Sequence, residues 1–464
     1  MITVSNVITI DNPSAELLQW CRKNLRLKNP EYTKKQRMHF WVGNTPEYLY
    51  LYETHGDKLV LPFGVLRNIL PMVDTRNPRT GFQYAERVDY GCKIPLYDYQ
   101  EKAVEEVYWK QYGILQSPAG SGKTQMGIAL IAKLGKRALW LTHTKDLLLQ
   151  SKDRAKQYMG EALLGTITEG KVNIGNGITF ATVQTMCNLD LNQYKDMWDV
   201  IIVDECHRVA GTPTAVSQFS KVLNSLAARH KYGLSATVHR SDGLIQATFA
   251  LLGDVVYTVP TEAVADKIMK VGINPVPTGI GLSRACLNTD GTLNYAKLIG
   301  YLAENIDRNL RIVECIVENR ENPALILSDR LGHLETLMSM LPADMREDAV
   351  MVSGKMTTKK GKAEREQAIE DMRSGAKKYL FATYSLCKEG LDIPRLERLY
   401  MGTPQKDYAV ITQSIGRIAR IHPGKSQPIV YDFVDDIQYL AKMYKIRCRH
   451  YRKGGCFFWE EPTE

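Results

Sequence analysis

The chain reads as an α/β protein: two parallel-sheet blocks in tandem, preceded by a small accessory module. Three observations predict this. From Leu96 onward, short apolar runs alternate with helical segments, the pattern of a parallel sheet wrapped by helices. A glycine-rich turn joins one such strand to an apolar helix at Gly113–Thr124. The alternation lapses once, between Asp254 and Asn305, and then resumes for a second block of similar size. The expected divisions are 1–90, 91–258 and 259–464, in keeping with the prior for a chain of 464 residues.

Residues 1–90 look like a separate, irregular module. Ala15 to Leu27 can form an amphipathic helix with Leu17, Leu18, Cys21 and Leu25 on one face. Tyr48 to Tyr52 and Leu59 to Pro62 read as strands. Seven cations (Arg22, Lys23, Arg26, Lys28, Lys34, Lys35 and Arg37) stand against one acid, Glu31, with Tyr32, Phe40 and Trp41 beside them. Cations for phosphates and aromatics for bases suit a nucleic acid. A solvated helix face explains the charges equally well. Pro71 to Pro95, rich in Pro, Gly and Arg, reads as a linker.

In the first block the expected strands are Gly113–Gln116, Arg137–Leu141, Ile178–Ala181, Asp199–Val203 and Tyr232–Ser235. The first runs into Gln-Ser-Pro-Ala-Gly-Ser-Gly-Lys-Thr and then an apolar helix, the strand–loop–helix context of a phosphate-binding P-loop. Gly120, Ser121 and Gly122 let backbone N–H groups close around a polyphosphate at the helix's positive end. Lys123 would neutralise the terminal phosphates and the Thr124 hydroxyl would hold Mg²⁺. The strict pattern has Gly where this chain has Ser117.

Trp198 to Val203 is an apolar run ending in Asp204-Glu205-Cys206-His207. A strand tip beside a P-loop is where an aspartate reaches Mg²⁺, a role given to Asp204. Glu205 can orient and deprotonate an attacking water. In the second block the strands are Ala324–Leu327, Ala349–Val352, Tyr379–Ala382, Arg398–Met401 and Ile429–Phe433. Only the first block carries a P-loop. From Ile437 to Trp459 the tail contains no acid but Lys442, Lys445, Arg447, Arg449, Arg452 and Lys453, with Tyr439, Tyr444 and Tyr451 among them, and reads as a nucleic-acid-facing helix or as a cap on the second block.

Composition sets limits. Apolar content of 44% and charged content of 24% are those of a soluble globular protein, and the net charge of +9 has the sign a polyanionic partner needs. No apolar run approaches the roughly 20 residues of a membrane span. Nine cysteines form neither a C-x-x-C pair nor a zinc-spaced cluster and read as thiols of a reducing cytoplasm. No clustered carboxylates outside the blocks suggest a nuclease.

The P-loop, Asp204-Glu-Cys-His207, Leu234-Ser-Ala-Thr237 and Gln413-Ser-Ile-Gly-Arg417-Ile-Ala-Arg420 follow the order of superfamily-two helicase motifs. With Leu96-Tyr-Asp-Tyr-Gln100 and the run from Leu234 to Gly243, the chain most resembles phage UvsW-like and XPB-like DNA helicases, over about Leu96 to Arg449. The resemblance implies tandem RecA-like domains, ATP and Mg²⁺ as cofactors, and single-stranded, forked or branched DNA as partner. It also implies a monomer acting in the cytoplasm, that of a host if phage-encoded. Gln100 resembles the glutamine that reads adenine, and Gly390 and Asp392 resemble the motif near the ribose and triphosphate. His207, Ser235 and Thr237 resemble the couplers of hydrolysis to strand movement. Gln413, Arg417 and Arg420 look like the segment that brings arginines to the transferring phosphoryl group. The family's strand-contacting positions fall on Thr142, His143, Thr182, Gln184, Thr185, Arg330, Ser353 and Thr383, with Ser328 among them.

Each has a structural alternative. Gln100 can cap a helix, each Ser or Thr can cap a turn, and Arg417 and Arg420 can be solvated charge on one helix face. The function implied is an ATP-driven DNA helicase or translocase. An RNA helicase, and an ATP-gated clamp that displaces nothing, stay open beside it.

Overall fold

The computed structural model describes all residues except 76, 77, 84, 85, 92, 119, 239–242, 265–267, 355, 357, 389, 390, 392 and 460–464. The chain divides into two compact units, one built of Met1–Pro118 and Gly122–Pro260, the other chiefly of Thr261–Glu464.

The first unit opens with a five-stranded sheet in the order Glu53–His55, Lys58–Pro62, Val7–Asp11, Ile2–Val4, Arg79–Thr80. The helix Ala15–Asn24 starts where the Ser14 hydroxyl accepts from Leu17 N–H at 3.1 Å. It stops at Leu25, earlier than its periodicity suggests, because Arg26–Lys28 leaves to pair antiparallel with Tyr48–Tyr50. Its apolar face (Leu17, Cys21, Leu25) packs with Ile8, Leu59 and Leu61, and the same cluster includes Val216, Leu244 and Ala247. Residues 1–90 therefore share a core with the helices of the first block. Lys231, fully buried, ties the two parts by donating to the carbonyls of Asn6 (3.1 Å) and Leu223 (2.7 Å).

The large sheet of this unit has eight strands, in the order Lys171–Asn173, Leu164–Thr168, Ile178–Thr182, Ala138–Thr142, Val200–Asp204, His230–Ser235, Tyr112–Gln116, Val255–Thr258. All neighbours are parallel except the hairpin at its first edge. Helices cover both faces, so the central strands are apolar throughout: all of Val200–Val203 is buried. The strand His230–Ser235 lies between the P-loop strand and the strand ending at Asp204, and all three end on the same side.

The second unit holds seven parallel strands in the order Ala349–Val352, Tyr379–Thr383, Ala324–Ser328, Arg398–Met401, Ile429–Asp436, Gly272–Gly281, Phe457–Phe458. Gly272–Gly281 lies inside the stretch expected to be irregular. It tolerates Pro275 and Pro277 because only Gly272 and Ile273 pair on its outer side, leaving no ladder there for a proline to break.

The tail forms the helix Gln438–Lys453. Here one expectation is corrected. Arg447 does not face a nucleic acid: it is 1% exposed and grips Asp432 through two bonds of 2.7 and 2.8 Å, with Tyr451 donating to the same carboxylate at 2.7 Å. The missing acid of the tail stands on the neighbouring strand. Lys442, Lys445, Arg449, Arg452 and Lys453 remain exposed. Among the described residues no helix is long and apolar enough to cross a membrane.

Candidate functional site

The parallel register brings the sequence-predicted residues of the first unit to one end of its sheet. The P-loop strand Tyr112–Gln116 ends where Ser117 N–H donates to the Ser235 carbonyl at 3.0 Å. Gly120 (φ +82°) and Gly122 (φ +80°) take left-handed conformations that other residues adopt at a cost. Gly122 has a second reason: the Gln100 amide lies so close that a Cβ would collide with it. The helix Lys123–Leu134 then begins with no side chain capping its first turn, leaving its positive end for an anion.

Asp204 ends its strand 5% exposed. One carboxylate oxygen accepts from Ser151 Oγ at 3.2 Å and the other from Glu205 N–H at 2.9 Å. Burial, and then the charge of Glu205, raise its pKa from 3.8 to about 6, with Lys123 pulling the other way. A carboxylate held in this way fits a divalent cation, whose charge would supply the missing compensation. Glu205 has φ +47°, a left-handed position for a residue with a side chain, and such strain gathers at working sites. That turn aims its carboxylate back over the P-loop. Oε1 lies 3.8 Å from Lys123 Nζ and Oε2 lies 3.2 Å from His207 Nδ1.

His207 Nδ1 is also 3.0 Å from Ser235 Oγ. Ser235 has one hydroxyl proton, which goes to the Thr237 carbonyl at 2.7 Å, and its oxygen accepts Thr237 N–H at 3.2 Å. Its contact with His207 must therefore be as acceptor, which puts a proton on Nδ1. Lys123, Glu205, His207, Ser235 and Thr237 form one continuous line of polar contacts.

Gln100 is buried and its carbonyl accepts from Tyr97 N–H at 3.0 Å, so it caps the helix Asp98–Lys110 while its amide lines the P-loop. Thr124 stands in the first turn of the P-loop helix, and Ser121 is buried. Ser151, which sequence reasoning missed, sits on the helix Lys145–Lys156, and nothing in its local pattern separates it from any other small helix residue.

The expected strand-contacting residues divide into two groups. Thr142 is fully buried, and its hydroxyl donates to the Thr144 carbonyl at 3.0 Å. Thr182 and Thr185 bond each other at 2.9 Å, and Ser353 is buried. Ser328, also fully buried, accepts from Arg330 N–H and contacts His333. The hydroxyls of Thr142, Thr182, Thr185 and Ser328 are thus bonded within their own turns. His143 contacts Gln184 at 3.2 Å, and burial, helped by Arg208 and His207, lowers its pKa. Arg330 is exposed, while half-buried Thr383 is bonded to Ser385 at 2.9 Å.

In the second unit the helix Tyr408–Ile418 starts at Asp407, whose carboxylate accepts from Val410 N–H at 3.1 Å. It carries Gln413 and Arg417. Gln413 is buried, and its carbonyl oxygen finds no hydrogen-bond partner among the described residues. Arg417 donates to the Leu391 carbonyl at 3.0 Å. Lys425, also missed, donates to the carbonyls of Arg420 (2.7 Å) and Pro394 (2.9 Å) and so braces the Arg420 segment. Gly390 and Asp392 lie outside the described residues.

Two family profiles match the chain: Type III restriction enzyme, res subunit, over residues 93–240, and Helicase conserved C-terminal domain, over residues 307–422. An Acanthamoeba polyphaga mimivirus protein described as an ATP-dependent RNA helicase is 27% identical over 74% of this chain, which spans 64% of that relative's length. The DNA 3'-5' translocase XPB2 of Sulfurisphaera tokodaii is 24% identical over 71% of this chain and 79% of its own. Among solved structures, the ATP-dependent Type ISP restriction-modification enzyme LlaBIII bound to DNA matches with a TM-score of 0.55 at 18% identity. That match covers 77% of this chain and 30% of the other, a likeness of fold.

Proposed function

The chain belongs to the superfamily-two helicases, enzymes that hydrolyse ATP, and on that premise we propose that it moves along DNA and unwinds or remodels duplex or branched substrates. The observation that carries the reading is the unbroken polar line from Lys123 through Glu205 and His207 to Ser235 and Thr237. It runs from the phosphate-binding loop to the tip of a neighbouring strand, so a change at the nucleotide is felt where the chain leaves the sheet.

The residues divide the work. The Lys123 ammonium lies near Glu205. A triphosphate in the glycine cradle draws Lys123 to its terminal oxygens, which frees Glu205 to orient a water and accept its proton. Asp204 and Thr124 would hold Mg²⁺, which neutralises charge on the phosphates when bound. Arg417 and Arg420 take the role the family resemblance implies for them, stabilising charge as the phosphoryl group transfers. When Glu205 changes partner, His207 loses the carboxylate beside its Nδ1, and Ser235 and Thr237 report the change.

A second reading, an RNA helicase, has support in the name of the mimivirus relative. The deciding experiment measures ATP turnover and strand displacement with single-stranded DNA, duplex, a fork, a four-way junction and matching RNA. DNA-stimulated turnover with displacement supports the proposal. Stimulation by RNA alone transfers the activity to RNA, and turnover without displacement leaves an ATP-gated clamp. Lys123→Ala should abolish turnover in every arm.

A further inference from the structure

The surface formed by residues 22–50 is the part of the molecule that the ATPase reading leaves without a task. Arg26–Lys28 and Tyr48–Tyr50 form a two-stranded ribbon in which Arg26 faces Tyr50 and Lys28 faces Tyr48. Leu27 points into the core, so the pleat turns Arg26 and Lys28 outward with the two tyrosines. Arg26 sits over the Tyr48 ring at 4.8 Å.

Beside the ribbon stands the helix Pro30–Arg37, none of whose residues is buried. It is nevertheless held firmly. Buried Asn29 accepts from Glu31 N–H at 2.9 Å and donates to the Pro46 carbonyl at 2.8 Å, pinning both ends of the loop. Lys35 Nζ adds a bond to Thr45 Oγ1 at 2.7 Å. On this frame Trp41 is 87% exposed, Phe40 60% and Tyr50 59%. The six-membered edge of the Trp41 indole comes close to Gly43, where a Cβ would meet it at 2.8 Å, while most of the ring stays open to solvent.

The electrostatics are one-sided. Among the described residues, none of the seven cations from Arg22 to Arg37 has a carboxylate within ion-pair distance. Exposed aromatics on a pinned loop, among cations without a carboxylate, mark a binding surface. A protein interface wants a contiguous apolar centre depleted of charge, whereas here each outward cation stands opposite a ring across the ribbon. Charge beside π-face suits a strand that offers both phosphates and unstacked bases.

We propose that this surface binds a single-stranded nucleic acid, with Trp41, Phe40 and Tyr50 as stacking platforms and Arg26, Lys28, Lys34 and Arg37 on its phosphates. The proposal rests on the helicase reading and adds to it a second hold on the strand, away from the nucleotide site. A duplex, whose bases are already stacked, gains only the charge interactions.

The test uses the full chain without nucleotide and labelled dT20, rU20 and a 20-base-pair duplex, followed by anisotropy from about 50 to 200 mM salt. Each base stack is worth roughly 5- to 150-fold in affinity. The double variant F40A/W41A should therefore lose at least about tenfold for single strands and little for duplex. R26A/K28A should weaken single-strand binding and lower its salt slope by about 1.4, or 0.7 for each phosphate no longer neutralised. All these side chains are exposed, so thermal stability and basal ATP turnover should not change. The dT20 and rU20 arms say which sugar is preferred. Wild-type binding with both variants within twofold of it overturns this proposal alone, as does equal weakening of duplex and single strand by F40A/W41A. Tight binding to vesicles or to a protein partner with no single-strand affinity also overturns it. A wild type that binds none of the three overturns the helicase reading as well.

Discussion

Replacing Asp204 by Asn should make the nucleotide-free protein more stable and catalytically dead, with a pH dependence that identifies the cause. Asp204 titrates near 6 in the fold against 3.8 ordinarily, chiefly through burial. At about 1.36 kcal/mol per pH unit, the ionised carboxylate costs the folded state about 3 kcal/mol. The direction follows from proton binding. Between pH 4 and 6 the folded chain holds a proton that the unfolded chain has released, so stability falls as pH rises through that window. Above pH 6 the whole penalty is present. Asn has no charge to bury and escapes it. Asn also alters the bonds to Ser151 and to Glu205 N–H, but that change does not depend on pH and cancels between two conditions. Thermal melts of wild type and Asp204→Asn at pH 5 and pH 8, without nucleotide, isolate the effect of the charge. The advantage of the variant should be larger at pH 8 by about 1–3 kcal/mol. An advantage that does not change with pH would refute the claim that this site is built around a buried, under-compensated carboxylate. The same residue should give kcat/KM an acid limb near pH 6, where the free enzyme's carboxylate must be ionised. Ser151→Ala removes a donor that favours the ionised form, so that limb should move upward by up to about one pH unit.

Other residues give separate outcomes. Arg447→Met leaves Asp432 buried with, among the described residues, Tyr451 alone to donate to it, and should cost about 3–5 kcal/mol by chemical denaturation; Arg449→Glu, on the exposed side, should change stability by under about 0.5 kcal/mol. Ser235→Ala removes the atom shared by His207 and Thr237, and should lower strand displacement per ATP about 5- to 150-fold while turnover persists. Lys231, whose pKa burial lowers from 10.5 to about 7, binds fewer protons folded than unfolded across that range, so wild-type stability should rise from pH 7 to pH 10. Lys231→Met should abolish that rise in melts taken across the same range.

What is legible in the sequence is whatever a short segment determines alone. The apolar runs ending at Asp204 and at Ser328 are buried on both faces and read as strands without any knowledge of their neighbours. The P-loop is equally plain, since its glycines are required by local backbone geometry and by the one amide that crosses them. The edges are harder. Leu164–Thr168 breaks its apolar run with Gly165 and Thr166, Val255–Thr258 is only four residues long, and Gly272–Gly281 carries two prolines that its half-bare position permits. Residues 1–90 look separate because nothing within them announces that Leu17 and Ile8 share a core with Ala247.

Charge misleads where its partner is remote. The tail from Ile437 to Lys453 contains no acid, so Arg447 looks like solvated or phosphate-bound charge, yet Asp432 waits on the adjacent strand. The same blindness hides Ser151 and Lys425, which act on carboxylate and carbonyl groups far along the chain or across a turn. The seven cations of residues 22–37 are the opposite case. They too read as either a binding surface or a solvated face, and here, among the described residues, the fold brings no carboxylate within ion-pair distance of them. A basic run is thus ambiguous in sequence for a definite reason: neutralisation is a long-range event. It is settled by which strand lies alongside, and the tail has such a strand while the Arg26–Lys28 ribbon, paired only with Tyr48–Tyr50, does not.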